Sequence, residues 1–210
     1  MKKILFVLVF NIFLINFVEA ATYHIDPSAG AGGDGSASNP YRTWTDFRTD
    51  HPSMQTGDDV YFKCGTTLYP SSELRIKWEG EESDRVVIGA YYMDGDTPVY
   101  GVNGDKPVIS GNNNSVPKPE KPVPIHLGLI NIVDKDYITI ENLKIDESKG
   151  DGIRFNGKLT ENKSCQYFIV DNCDVTNSYM AAVRVIECAE NYGVIRNCYV
   201  AYNALAGDWN

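Results

Sequence analysis

Tyr137-Ile-Thr-Ile-Glu-Asn-Leu-Lys-Ile145, Tyr167-Phe-Ile-Val-Asp-Asn-Cys-Asp-Val175 and Tyr192-Gly-Val-Ile-Arg-Asn-Cys-Tyr-Val200 are three versions of one unit. Each opens on an aromatic residue and alternates apolar with polar positions. Each then carries an Asn five places in (Asn142, Asn172, Asn197) and closes on a short apolar pair. The copies start 30 and 25 residues apart, a period that marks a repeat architecture. Alternation at period 2 predicts strands with one buried face. An Asn between two short strands fits a tight bend, because Asn tolerates left-handed backbone. After the first two copies a third alternation follows, Gly152-Ile-Arg-Phe155 and Ala182-Val-Arg-Val185. Three short strands per turn predict an all-β, right-handed parallel β-helix, a three-sheet solenoid whose coils stack ~4.8 Å apart. Stacking in register would set the three Asn side chains in a ladder of mutually bonding amides. A β-sandwich would instead require hairpin turns and would have no positional Asn.

The first residues, Met1-Lys-Lys, an apolar run from Ile4 to Val18 and Val18-Glu-Ala20, have the three parts of a secretory signal cleaved after about Ala20. The mature chain is expected to be secreted or periplasmic, with no membrane span after cleavage, and monomeric. Loss of Lys2, Lys3 and Glu19 leaves 17 basic and 27 acidic residues, a net charge of −10. That charge weighs against nucleic acid and anionic membranes as partners. Five cysteines are an odd count for an oxidising compartment. Cys173 and Cys198 occupy the same inward position of adjacent coils, as a disulfide or as stacked thiols. Cys165 and Cys188, just before the repeated strand in consecutive coils, are the preferred disulfide, which leaves Cys64 as a small core residue. There is no CxxC, and His24, His51 and His126 read as ordinary surface or turn residues.

The organisation expected is a signal over 1–20, an N-terminal strand, loop and capping helix over 21–56, and β-helix coils over 57–210. Trp44 to Met54 is the expected helix, with Trp44 and Phe47 covering the open end of the core, as a solenoid requires. Gly57–Phe62 starts the first coil, and Leu74–Ile76 and Val86–Ala90 continue the sheets. Met93–Asp105 reads as a projecting loop, Lys106–Gly111 returns to the core, and Asn112–Pro124 is too rich in Pro for a helix or central strand. Ile125–Val133 re-enters the coils.

Tyr23-His-Ile-Asp-Pro27, Gly35-Ser-Ala-Ser-Asn-Pro-Tyr-Arg-Thr43, Gly57-Asp-Asp-Val-Tyr-Phe-Lys-Cys-Gly65, Val87-Ile-Gly-Ala-Tyr91 and Lys106-Pro-Val-Ile-Ser-Gly111 together resemble the opening of secreted bacterial β-helix proteins of the pectate-lyase-like superfamily. The resemblance spans almost the whole mature chain and is specific for fold and capping. It implies a carbohydrate partner, because that superfamily holds lyases acting on alginate or pectin, glycoside hydrolases, uronate epimerases and non-catalytic surface proteins. Fold alone does not choose among them. Members typically run through more coils, and with no C-terminal cap in view a truncated product is expected.

Within the third alternation Ile153 and Phe155 point inward, so Arg154 points out, as Arg184 does one coil later. The two guanidinium groups should stack on adjacent rungs, where like charges repel unless an anion lies between them. Arg binds planar carboxylates with its fork, and a uronate polymer presents such carboxylates. The competing reading pairs these arginines with Asp151 and Glu187 on a solvated face. The turns Asp146–Asp151 and Asn177–Ala181 would wall a groove, with Lys149 and Tyr179 as base or sugar-stacking candidates and Asp151 and Asp208 as further substrate contacts. Lyase chemistry needs a carboxylate neutralised and a proton removed beside it, which makes Arg184 and Arg154 the catalytic candidates. Ca²⁺ is the possible cofactor, with Asp146, Asp151 and Asp174 as possible oxygens, and no organic cofactor is expected. Glu141, Asp171 and Arg196 form an outward row that reads as a solvated face, as do Lys144, Asp174 and Tyr199.

Overall fold

The computed structural model describes residues 20–112, 128–157, 165–188 and 192–204. The expected signal up to residue 19, nearly all of the Pro-rich stretch, His126 and Asp208 lie outside them.

The chain winds into coils of three short strands, and each strand stacks on its counterpart in the next coil. The strand β1 (Thr22–Ile25) lies beside the first coil, which is β2 (Asp59–Lys63), β3 (Thr67–Leu68) and β4 (Leu74–Ile76). The second coil is β5 (Val86–Asp94), with β6 (Thr97–Tyr100) appended, then β7 (Val108–Ser110) and β8 (Gly128–Val133). The third is β9 (Ile138–Glu141), β10 (Lys144–Asp146) and β11 (Asp151–Asn156). The fourth is β12 (Ile169–Asp171), β13 (Asp174–Thr176) and β14 (Val183–Ile186), and β15 (Val194–Arg196) and β16 (Tyr199–Ala201) start a fifth. Sheet A runs β1-β2-β5-β9-β12-β15, sheet B β3-β7-β10-β13-β16, and sheet C β4-β8-β11-β14. Among the described strands every pairing is parallel except the β5–β6 hairpin. The fold is a parallel β-helix.

The alternating residues explain the core. Leu68, Ile109, Ile145 and Val175 stack up the inside of sheet B, and Leu74, Ile130 and Ile153 up sheet C, all buried. Phe155 lies flat on Phe168 across the interior, centroids 4.0 Å apart. At the last described rung the inward residues Ile195 and Val200 are half exposed.

Corners between strands repeat as faithfully as the strands. Asn142, Asn172 and Asn197 have φ of 61°, 48° and 54°, the left-handed bend expected of Asn. Asn172 Nδ2 donates to Asn142 Oδ1 at 2.8 Å. The ladder then breaks, because Asn197 Nδ2 turns to Asp171 Oδ1 at 2.9 Å.

The helix α1 (Trp44–Asp50) is shorter than the expected Trp44–Met54. Thr43 caps its start through a bond from Asp46 N, and Pro52 disfavours helical backbone at His51. Trp44 and Phe47 are buried, with Trp44 stacked 6.5 Å from both Phe62 and Trp78, so the helix covers the first coil as expected.

Two expectations are corrected. Met93–Asp105 is not simply a loop: β5 runs to Asp94, turns through Gly95 (φ 61°) and Asp96, and returns as β6, a two-residue hairpin loop with Gly at its first position. It sets Tyr100 on Tyr61, centroids 4.3 Å apart. His24 is not a surface or turn residue. It is buried in β1, its Nδ1 bonded to Gly35 O at 3.1 Å, and burial lowers its pKa.

Candidate functional site

Sheet C carries the site. Its strands alternate apolar-in and polar-out, and their register sets four outward residues in one row across four rungs: Arg75, Asn131, Arg154 and Arg184. Arg154 and Arg184 are Cα partners, as the 30-residue offset implies. Gly128 makes room for this row, since a Cβ there would come 2.6 Å from that of Arg154.

Two guanidinium groups one rung apart need a counter-charge, and Asp151 supplies it. Its Oδ2 accepts from Arg154 Nη1 at 3.4 Å and its Oδ1 from Arg184 Nε at 2.8 Å and Ala181 N at 3.1 Å. The Asp151 side chain has no exposed surface and that of Arg154 is 4% exposed, whereas that of Arg184 is 30% exposed. The sequence candidates therefore separate. Asp151 and Arg154 form a buried ion pair beneath the surface, so neither is open to touch a polymer. Arg184 is held at Nε, and its terminal nitrogens make no bond within the described residues.

The turns stack as read: Tyr179 N donates to Ser148 O at 2.8 Å and Met180 N to Gly150 O at 3.0 Å. Lys149 is exposed and lines a cleft of about 230 Å³ with Ser72, Glu73, Gly128, Leu129 and Gly150. Tyr179 is partly exposed on the next turn.

Sequence reasoning missed Arg75, Asn131 and Glu73. Leu74-Arg-Ile76 repeats the apolar-Arg-apolar triplet of 153–155 and 183–185 and could have placed Arg75 in the row. Asn131 is 4% exposed; its Nδ2 donates to Glu73 Oε2 at 2.7 Å, and its Oδ1 has no partner among the described residues. Arg75 lies 4.0 Å from Glu73 Oε1.

The three aspartates considered for Ca²⁺ do not converge. Asp151 binds the arginines, Asp174 binds Lys106 at 2.8 Å, and Asp146 accepts from Thr176 Oγ1 at 2.7 Å and Asn177 Nδ2 at 2.8 Å. Those bonds hold Asp146 below its ordinary pKa against the opposing effect of burial. Among the described residues no three His, Cys, Asp or Glu side chains gather as a metal site would. These residues do not fit a Ca²⁺ cage.

On sheet A, Glu141, Asp171 and Arg196 are register partners on successive rungs. Arg196 grips Asp171 at 2.8 Å and, with Asn197, lowers its pKa. Burial and the charge of Asp171 raise that of Glu141.

Comparison with known proteins supports the fold. No family model and no curated protein matches the sequence. A lacto-N-biosidase of glycoside hydrolase family GH136 from Eubacterium ramulus superposes with a TM-score of 0.59 at 18% identity, covering 87% of this chain and 34% of that one. A rhamnogalacturonan lyase gives a TM-score of 0.49 at 13% identity over 86% of this chain and 51% of that one. Pectate lyase Pel9A gives 0.49 at 14% over 93% and 57%. This chain thus spans about a third of the length of the lacto-N-biosidase structure. It is a parallel β-helix protein, and the likeness to the lacto-N-biosidase structure is one of fold. Among the described residues no helix is long and apolar enough to cross a membrane.

Proposed function

We propose that this protein is exported and binds an acidic polysaccharide, such as alginate or pectin, along the outer face of sheet C, cleaving it by β-elimination. The observation that carries the proposal is Arg184, in register with Arg154, held at Nε by Asp151 and 30% exposed on the outer face of sheet C. An exposed guanidinium fork on an acidic protein offers an anion a local site at that face.

In this reading Arg184 is the working group and Asp151 with Arg154 positions it. Asp151 fixes Nε, which turns the terminal fork of Arg184 outward toward a uronate carboxylate. Neutralising that carboxylate acidifies the adjacent C5 proton. Lys149, at the rim of the cleft, is the candidate base for that proton, and Tyr179 is a surface for sugar stacking. As the C5–H bond breaks, its electron pair passes into the neutralised carboxylate as an enolate; that pair then forms the C4–C5 double bond as the C4–O bond breaks, and the leaving oxygen takes up a proton.

The test is ultraviolet absorbance of the unsaturated product during incubation with alginate, pectate and chondroitin. Rising absorbance that Arg184→Ala abolishes, with circular dichroism unchanged, supports the proposal. A flat trace with every polymer from folded protein overturns it.

A second reading is hydrolysis, and the Glu141–Asp171 pair is the observation that favours it. The two carboxyls are register partners whose surroundings push their pKa values in opposite directions, the arrangement that divides acid from nucleophile in glycosidases. Reducing-end release without absorbance, lost in Glu141→Gln and kept in Arg184→Ala, would select it.

A further inference from the structure

The cleft beside the arginine row has two chemically different ends. It crosses the corner between sheets B and C over three coils. Ser72 and Glu73 belong to the turn before β4, Gly128 and Leu129 to β8, and Lys149 and Gly150 to the turn before β11. The first and third coils lie two strand spacings apart, about 10 Å. Lys149 makes the third-coil end positive, on the side of the cleft nearer the coil of Arg184. The first-coil end carries Glu73 and is negative.

Glu73 is held in place without being neutralised. Its Oε2 accepts from Asn131 Nδ2 at 2.7 Å, whereas Arg75 Nη1 stands 4.0 Å from Oε1, beyond hydrogen-bond reach. Glu73 lines the cleft with its side chain 21% exposed, and Arg75, 49% exposed, stands outside the lining. An ionised carboxylate has about four acceptor positions, and among the described residues Glu73 fills one of them. Asn131 has given its donor to Glu73, and its own buried Oδ1 has no donor among the described residues. This end of the cleft is therefore short of donors. A sugar hydroxyl supplies one. A uronate carboxylate brings only acceptors and a second negative charge.

We infer that the Glu73 end of the cleft is a subsite for a neutral, hydroxyl-bearing sugar, so the substrate is a mixed polymer that joins uronates to neutral sugars. The inference rests on the acidic-polysaccharide reading and narrows it. A glycan running along the helix axis that sets a uronate carboxylate on Arg184, in the fourth coil, reaches Glu73 in the first. The unit lying there donates hydroxyls to the Glu73 carboxylate. A polymer charged at every unit would set a carboxylate against it. Glu73 thus determines specificity, and Asn131 is its positioning residue.

The experiment is calorimetric titration of the folded full-length chain carrying Lys149→Arg, which keeps the charge at the cleft and cannot serve as a base. The probes are four tetrasaccharides. Two are mixed, unsulfated chondroitin and alternating galacturonate–rhamnose, and two are homouronates, of galacturonate and of mannuronate. At least one mixed probe should bind about tenfold more tightly than both homouronates. Adding Glu73→Gln should bring the four within about threefold, chiefly by tightening the homouronates. Adding Asn131→Ala should weaken the mixed probe severalfold and leave the homouronates unchanged, a split that a merely loosened fold would not give. Homouronates bound within about threefold of the mixed probes, or more tightly, overturn the inference and leave the acidic-polysaccharide reading standing. A tenfold preference that survives Glu73→Gln, with circular dichroism unchanged, overturns the role of Glu73. Failure of all four probes to bind overturns the acidic-polysaccharide reading itself, and the inference with it.

Discussion

Asp151→Asn should be among the most damaging single substitutions in the coils. It keeps the shape of the side chain and removes the charge between two guanidinium groups. The Asp151 side chain has no exposed surface and the Arg154 side chain only 4%, so water cannot replace the lost interaction. Breaking a buried ion pair from one side costs about 3–5 kcal/mol. Arg184, 30% exposed and bonded at 2.8 Å, adds about 1 kcal/mol, because solvent screens it. One amide oxygen can still accept from Ala181 N or from an arginine, which puts the expected loss near 3 kcal/mol. Urea unfolding followed by circular dichroism measures it by linear extrapolation. For a chain of this size the thermal midpoint should fall by roughly 6–12 °C. Arg184→Ala alone should cost about 1 kcal/mol, and its coupling to Asp151→Asn should be of the same order. An Asp151→Asn loss below about 1 kcal/mol, or no coupling to Arg184, would refute the shared counter-ion.

Asn172→Ala loses the 2.8 Å bond to Asn142 and forces Ala into left-handed backbone at φ 48°, so about 2 kcal/mol should be lost. Asn172→Gly, which adopts that φ freely, should cost less, and equal losses in denaturant unfolding would count against the corner argument. Burial raises Asp59 from 3.8 to about 6. The folded state therefore binds this proton more tightly than the unfolded chain, and the stabilisation present below about pH 4 is lost as pH rises to about 6. Asp59→Asn should flatten that part of the midpoint-versus-pH curve, and an unchanged slope would reject the assignment. Gly152→Ala should destabilise by more than 1 kcal/mol, because a Cβ there collides with Val175 and comes 2.7 Å from Ala182 O. Wild-type unfolding in urea would count against that packing.

The site was half legible before folding. The 30-residue offset between Arg154 and Arg184 put them on one row, and the structure keeps them there. Periodicity fixes rung and face, but it is blind to depth. Arg154 and Arg184 have the same sequence environment, apolar-Arg-apolar, yet one is buried and the other reaches the surface. Asp151 was one candidate among several turn acids. Only the folded corner shows it between the two arginines, because the β-strand pattern says nothing about how a turn residue leans.

The same division holds across the molecule. Alternation, the positional Asn and the repeat length determined by themselves that this chain is a three-sheet parallel solenoid, since each strand must bury one face and cannot do so alone. They also named the Asn corners, because Asn carries a local reason to bend left-handed. Tyr137, Glu147, Tyr167 and Glu187 adopt the same positive φ, between 52° and 56°, with no such reason in their chemistry. Their conformation is imposed by coils stacking at a fixed spacing, where the hydrogen bonds of neighbouring rungs outweigh about 1–2 kcal/mol of local strain. Local preference was written in the residues, and what the stack forces on indifferent residues was decided by the tertiary structure.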